Sequence, residues 1–319
     1  MTPSLSAARR WTCANLARAE RVVGVTSVAG LRCLAGHGCR APLRNQSLAV
    51  RLIQGQQRAC GAFHSAILAG GGQLVLTERF LKNRRGVLEP RERAVLEQAI
   101  AEVRSVPART TLTRIGDRLS HSTLLLEGFL CRIVDDRKGL RQLVAVHVPG
   151  EFVDLHGYPL KTLDHDVASL TAATIAIVPH AALDRITEEM PALTRKLWYA
   201  TLLDAAIHRA WLFRLGRLDA TGRVAHFLSE TNARLAAVGL SDGRRFALGI
   251  SQAELAEICG LTSVHVNRVM RQLREDGLCV FRYAQVDILD SAGLAERGEF
   301  DPEYLYLQGP QLAARRRVG

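Results

Sequence analysis

Residues 250–278 read ISQAELAEICGLTSVHVNRVMRQLREDGL. Ser251 and Glu254 stand in the S-x-x-E spacing, where the hydroxyl accepts from a backbone N–H three residues on and the glutamate reaches back, so a helix starts here. Leu255, Ile258 and Cys259 share one face of that helix. Gly260 follows where the chain must turn sharply, and glycine enters the left-handed conformation without the clash of a Cβ. Thr262 is an N-cap for a second helix running to Asp276, stopped by Gly277, with Val266, Val269, Met270 and Leu273 inward. Two helices that cross after so short a turn approach closely, and the small Ala256 leaves room for Val266. A small residue, a glycine four later and an aliphatic six after that is the steric formula of a DNA-binding helix-turn-helix. An ordinary αα-hairpin is the competing reading.

The second helix presents its candidate DNA contacts outward: Thr262, Ser263, Val264, His265, Asn267, Arg268 and Arg271. Arg268 suits bidentate pairing with guanine and Asn267 pairing with adenine. Thr262, His265 and Arg271 are better placed for phosphates, which position a protein without specifying sequence. For each arginine the competing role is a solvated face. Leu278–Ile288 reads as a short hairpin, a wing beside the helix.

Working back toward the N-terminus, Asp219 is a plausible N-cap for a helix through Leu235, with Val224, Phe227, Leu228 and Leu235 inward. A long helix precedes it, from about Pro191 to Leu215, ended by Gly216. Its apolar residues Leu193, Leu197, Ala200, Leu203/Asp204, Ile207 and Trp211 recur at three- and four-residue steps, close to a coiled-coil seam. We expect this seam to join two copies of the chain, with packing on the helix's own domain as the alternative. Before it, residues 106–178 read as short strands between turns. They include Leu124–Leu126 ahead of Glu127-Gly128, Phe129–Val134, Leu143–Val148 closed by Pro149-Gly150, and Ala168–Val178. That rhythm suggests a small β-barrel or roll. Glu89–Val103 reads as a helix with Pro90 in its first turn. The fold class expected is therefore α+β.

The first 76 residues differ from the rest. They hold nine arginines and one acidic residue, Glu20, out of the chain's 42 basic and 31 acidic side chains, so the other residues carry 33 against 30. The net charge of +11 thus sits mostly outside the patterned part, and a nucleic-acid claim must rest on the local motif and not on charge. Residues 1–76 read as a disordered basic tail, a metal-binding extension, or upstream sequence translated from an early start, since Gly70–Gly72 require G-rich codons just ahead of Val75. They are expected to be dispensable for folding and DNA binding. No run of eighteen apolar residues marks a membrane span. Arginines at positions 9, 10, 18 and 21 interrupt any signal-peptide core. A cytoplasmic protein is expected. Seven cysteines, an odd number without a secretion signal, argue against a disulfide framework.

The order of these parts resembles the Crp/Fnr superfamily, the regulators related to the cyclic-AMP receptor protein and the fumarate–nitrate regulator, over about residues 78–308. The phrase His147-Val148-Pro149-Gly150-Glu151-Phe152 is similar to the family's Pro-Gly-acidic turn, and residues 250–278 match its DNA-binding signature throughout. The resemblance implies a cyclic-nucleotide-binding-like β-roll sensor at 77–190, a dimerisation helix at 191–216, a winged helix-turn-helix at 217–308 and a basic tail at 309–319. It also implies a homodimer on a two-half-site operator in double-stranded DNA, with RNA polymerase as a partner. The family's cyclic-nucleotide binders carry a Gly-Glu-Leu turn and an Arg-Ser pair. This chain has Val153-Asp154-Leu155-His156-Gly157 and His165-Asp166-Val167 there, with no arginine for a phosphate, so cyclic AMP is not the expected effector. Cys33 and Cys39 lack the close C-x₂-C pair of an iron–sulfur cluster. His121, His147, His156 and His165 match no standard metal or haem spacing and read as isolated polar or surface residues. No cofactor and no metal site is assigned.

An enzyme is not expected, since no nucleophile–base pair, P-loop, dinucleotide turn or carboxylate constellation is present. Cys131 reads as a buried strand residue and Cys259 as part of the motif's core. A scaffold that keeps the fold without specific DNA binding is the alternative to a regulator.

Overall fold

The structure, a computed structural model, describes residues 75–308. The N-terminal extension up to residue 74, with Cys33 and Cys39, and the tail 309–319 lie outside the described residues. Helix α1 (Pro90–Gln98) is followed by seven strands: β1 (Glu102–Val106), β2 (Thr111–Thr113), β3 (His121–Glu127), β4 (Leu130–Asp135), β5 (Arg141–His147), β6 (Asp166–Ser169) and β7 (Ala173–Pro179). The short helix α2 (Gly157–Leu160) lies between β5 and β6. The strands form two antiparallel sheets, ordered β1-β7-β3 and β2-β6-β4-β5. Then come α3 (His180–Glu189), the long α4 (Pro191–Arg217), α5 (Ala220–Ala237), β8 (Arg245–Ala247), α6 (Gln252–Cys259), α7 (Ser263–Glu275), the hairpin β9 (Cys279–Arg282) and β10 (Gln285–Ile288), α8 (Ser291–Arg297) and a 3₁₀ turn at Pro302–Leu305.

Alternation along β7 explains how the roll is built. Ala173, Ile175 and Ile177 point into the core between the two sheets with Leu125, Leu130 and Val153. Ala176 and Val178 point the other way, against Leu96, Leu183 and Leu197 of the surrounding helices. A strand buried on both faces needs apolar residues at every position, and this one has them. Two expectations change here. The helix at Pro90 ends at Gln98, because Val103 pairs with Ala176 in the sheet. The segment Ala168–Val178 is two strands, interrupted where Glu127-Gly128 turns. Gly128 has φ +82°, and a Cβ there would lie 2.3 Å from the Ala172 carbonyl oxygen, so no other residue fits.

The long helix departs from expectation more deeply. Leu193, Leu197, Leu203, Ile207 and Trp211 are all buried, but within their own chain. Leu193 and Leu197 pack with α1 and the outer face of β3 and β7. Leu203, Ile207 and Trp211 join a core that runs from Cys131, Ile133 and Leu143 of the roll to Leu255, Ile258 and Val266 of the helix-turn-helix. The apolar face left outside is a different stripe, with Trp198, Leu202 and Leu212 exposed by 65%, 55% and 73%.

A buried ionic chain crosses the same junction. Arg234 on α5 donates to Glu151 Oε2 at 2.6 Å, Glu230 Oε1 at 3.0 Å and the Val146 carbonyl at 2.8 Å. Glu230, fully buried, also accepts from Trp211 Nε1 at 3.0 Å and the Tyr304 hydroxyl at 2.6 Å. Arg84, near the described N-terminus, donates to the Leu305 carbonyl and lies 3.9 Å from Glu151. Burial pushes the Glu151 carboxyl up, but Arg234 and His147 outweigh it and hold the group well below the usual carboxylate range. Breaking such a chain on one side strands charge in the interior. Arg234→Met is expected to cost about 3–5 kcal/mol of folding free energy, read from denaturant unfolding. A loss below about 1 kcal/mol would show that Glu151 and Glu230 find water instead.

Candidate nucleic-acid interface

Every local signal in residues 250–278 is realised. Ser251 Oγ accepts from the Glu254 N–H at 3.2 Å, and the Ser251 N–H donates to Glu254 Oε2 at 2.6 Å. Gly260 adopts φ +61°, ψ +43°, the left-handed cap that turns the chain. Thr262 Oγ1 accepts from the His265 N–H at 3.3 Å and starts α7. Ala256 and Val266 are both buried in the core that also holds Val269 and Leu273, while Met270 is half-buried.

Thr262, Ser263, Val264, His265, Asn267, Arg268 and Arg271 are all exposed on α7, and Val264 is 78% exposed. Helical spacing groups them into two adjoining stripes: Val264, Arg268 and Arg271, and Ser263, Asn267 and Arg274. Arg274, exposed in the last turn, continues the second stripe and was missed in the sequence because it lies at the expected C-terminal end. Arg271 has a loose partner, Glu275, at 3.9 Å with both side chains 63% exposed. Such a pair stabilises little and yields easily to a phosphate. Asn267 Nδ2 donates to the Ser263 carbonyl at 3.1 Å and must leave that bond to read a base. The hairpin expected at Leu278–Ile288 is present and gains a third strand, β8, that the sequence did not announce.

The helix-turn-helix is fastened to the roll as well as to its own domain. Glu254, the capping glutamate, accepts from Arg109 Nε at 2.9 Å, and Gln142 Nε2 on β5 donates to the Glu257 carbonyl at 2.5 Å. Arg214 of α4, fully buried over the Trp211 ring at 3.9 Å, donates to the Ile258 carbonyl at 3.1 Å.

The roll's histidines are not isolated surface groups. His147 and His165 are buried and His156 half-buried, and the rings of His156 and His165 lie 5.3 Å apart. Arg132, arriving from β4, occupies the place where the local segment offered no arginine. It donates to the Val153 carbonyl and to Asp204 Oδ2 of α4 at 2.7 Å, and lies 3.5 Å from His156 Nδ1. Only the three-dimensional pairing of β4 with β6 brings it there. Burial, then Arg132, lowers His147 to about 4 and His156 to about 3, so both imidazoles are neutral. Burial raises Asp154 to about 6 even though it accepts from the Thr123 N–H at 2.6 Å. Among the described residues no group of three His, Cys, Asp or Glu is arranged to hold a metal. Cys131 and Cys259 are buried, with thiols pushed by burial to about 12 and about 11.

The geometry is that of a transcription regulator: a β-roll joined by one long helix to a domain with an exposed, capped helix-turn-helix. Residues 222–297 match the Crp-like helix-turn-helix domain. Over 177 residues the chain is 30% identical to a probable transcriptional activator of Rhizobium leguminosarum bv. viciae, spanning 55% of this chain and 72% of that one. Over 199 residues it is 27% identical to the transcriptional activator protein anr of Pseudomonas aeruginosa, spanning 62% and 81%. Over 62% of its length it shares the fold of FixK2 from Bradyrhizobium japonicum, with a TM-score of 0.57, 22% identity and 96% of that chain covered. The chain belongs to the Crp/Fnr superfamily of transcription regulators and is not an enzyme. No described helix is long and apolar enough to cross a membrane.

The roll interior gives stability a defined pH dependence. An unfolded histidine titrates near about 6.5, so between there and about pH 4 the unfolded chain takes up protons that folded His147 and His156 refuse. Their contribution is therefore lost as pH falls through that window. Asp154 acts in the opposite sense: its raised value stabilises at low pH, and that contribution is lost as pH rises through about 6. The melting temperature is expected to fall from pH 6.5 to pH 4, less steeply in a His147→Gln/His156→Gln chain and more steeply in Asp154→Asn. An unaltered slope in the double variant would refute the assignment.

Proposed function

We propose that the chain is a homodimeric regulator that binds a two-half-site operator in double-stranded DNA through α7, acting in the cytoplasm together with RNA polymerase. The observation that carries this reading is the exposure of seven polar, basic or small apolar contacts on one rigidly capped helix. In it, Arg268 and Asn267 read bases, Thr262, His265 and Arg271 hold phosphates, and Ser263 and Val264 occupy the base-reading end of the helix. Support for transcription as the process comes from the relatives, several of which are named transcriptional activators. Cyclic AMP is not the effector in this reading, because Arg132 is already committed to Asp204 and the Val153 carbonyl.

The dimer contact uses the stripe Trp198, Leu202, Ala205, Arg209 and Leu212, at alternating four- and three-residue steps along α4. This heptad spacing suits two parallel helices, and a charged residue such as Arg209 at one seam position sets register at some cost in stability. Leu202→Asp is expected to give folded monomers with weak operator affinity, seen as a halved mass by light scattering at an undiminished melting temperature. Ile207→Asp, which charges the chain's own core, is expected to lower the melting temperature instead. A dimeric Leu202→Asp chain would move the interface elsewhere.

Base reading is tested by a contrast within α7. Arg268→Ala is expected to lose roughly tenfold to hundredfold affinity for the operator and relax preference at one base pair, since a bidentate guanine contact is worth about 1–3 kcal/mol. Arg271→Ala is expected to weaken specific and non-specific DNA alike and to flatten the salt dependence by about one unit of slope. If both variants behave alike, Arg268 is not a base reader. If neither affects DNA binding, the scaffold reading takes over.

A further inference from the structure

The helix-turn-helix rests against two walls of its own chain, and those walls are tied to each other inside the roll. One wall is the outward face of β4 and β5. There Cys131, Ile133 and Leu143 share a core with Leu255, Ile258 and Val266, and Gln142 donates to the Glu257 carbonyl. The other wall is the C-terminal half of α4. Its Leu203, Ile207 and Trp211 join the same core, and its Arg214 donates to the Ile258 carbonyl. The angle between the two walls therefore decides where α6 and α7 stand relative to α4.

Arg132 fixes that angle from inside the roll. Successive residues of a strand face opposite ways, and between the outward Cys131 and Ile133 the Arg132 side chain turns inward, only 4% exposed. All three of its nitrogens are engaged. Nε and Nη2 donate to the Val153 carbonyl at 2.9 and 2.5 Å, and Nη1 donates to Asp204 Oδ2 at 2.7 Å. Asp204 stands on α4 between Leu203 of the shared core and Ala205 of the exposed stripe. Among the described residues no other hydrogen bond joins a strand of the roll to α4. A charge-assisted bond from a guanidinium held on both sides resists sliding. The cavity left between the roll and α4, bounded by Arg132, His147, His156, Leu203 and Asp204, measures about 40 Å³. That is room for water, against the roughly 300–1,000 Å³ of an ordinary small-molecule site.

We propose that the Arg132–Asp204 pair is a built-in lock that holds the helix-turn-helix in its DNA-binding position, so that the chain binds its operator with no small molecule in the roll. The inference rests on the DNA-binding reading above and adds how that binding is set.

The probe is a genomic fragment retained by the wild-type chain, titrated at a temperature where every variant is folded. Arg132→Met keeps most of the side chain's length and leaves Asp204, 24% exposed, to the solvent that already reaches it. It is expected to lose about tenfold affinity. Asp204→Ala removes the other half of the lock and is expected to lose as much. The double variant is expected to bind no worse than the weaker single one, because the same interaction is removed each time. Losses that add instead overturn the lock, since the two groups would then act separately. Should Arg132→Met fail to fold, Asp204→Ala alone decides. Leu183→Ala, in the separate core with Leu96 and Val178, lowers the melting temperature without touching either wall and is expected to keep wild-type affinity. An equal loss there overturns the proposal, because affinity would then follow stability. Wild-type chain unfolded in guanidinium chloride, dialysed and refolded to its original melting temperature is expected to bind as tightly as before, and a lower affinity overturns the proposal. A wild-type chain with no affinity for any genomic fragment would sink the DNA-binding reading and this inference together. Retained wild-type binding with an undiminished Asp204→Ala would sink this inference alone.

Discussion

Arg234 holds the molecule together at the point where three parts of the chain meet. Its guanidinium bridges Glu151, in the turn after β5, to Glu230 on its own helix, and Glu230 in turn collects Trp211 from the long helix and Tyr304 from the C-terminal end. Each of these groups would be costly to bury alone, and together they satisfy one another. The consequence is positional. Apolar contacts tolerate sliding, but a fork of hydrogen bonds to two carboxylates does not. The orientation of α5 is referred to the roll through this residue, and the Arg109–Glu254 and Gln142–Glu257 contacts add their own ties for the helix-turn-helix packed on it.

Legibility in the sequence followed the range of the interactions involved. The helix-turn-helix was readable almost to the residue, because its determinants are local: a capping box within four residues, a left-handed glycine, and a small residue, Ala256, making room for the aliphatic Val266 on the next helix. The roll's strands were readable as strands, since turn residues punctuate them. The break at Leu170–Ala172 was not, because it answers to the Gly128 turn on another strand.

What failed was everything decided by which face meets which partner. The periodic leucines of α4 predicted a buried stripe correctly and assigned it to the wrong partner, since three- and four-residue spacing is the same for a helix packed on its own domain and for one packed on a second copy. The exposed stripe with Trp198, Leu202 and Leu212 carries a similar period, interrupted by Arg209, and was overlooked for that reason. The histidines failed in the same way. Their spacing along the chain says nothing about Arg132, which reaches them across a sheet.

The core that runs without interruption from Cys131, Ile133 and Leu143 through Leu203 and Ile207 to Ile258 and Val266 bears on how such a protein diversifies. The roll and the helix-turn-helix could be pictured as exchangeable modules, each free to be recombined with a new counterpart. Here the inner wall of the helix-turn-helix is completed by the outward face of β4 and β5 of the roll, and its capping glutamate is held by Arg109 of the roll. A lineage that shuffled the two halves would inherit a mismatched seam, so substitution on α7 or inside the roll disturbs the molecule less than trading whole domains. The exposed face of α7 bears no part of that seam and is free to drift, whereas the surface of β4 and β5 beneath the helix-turn-helix is constrained to coevolve with it.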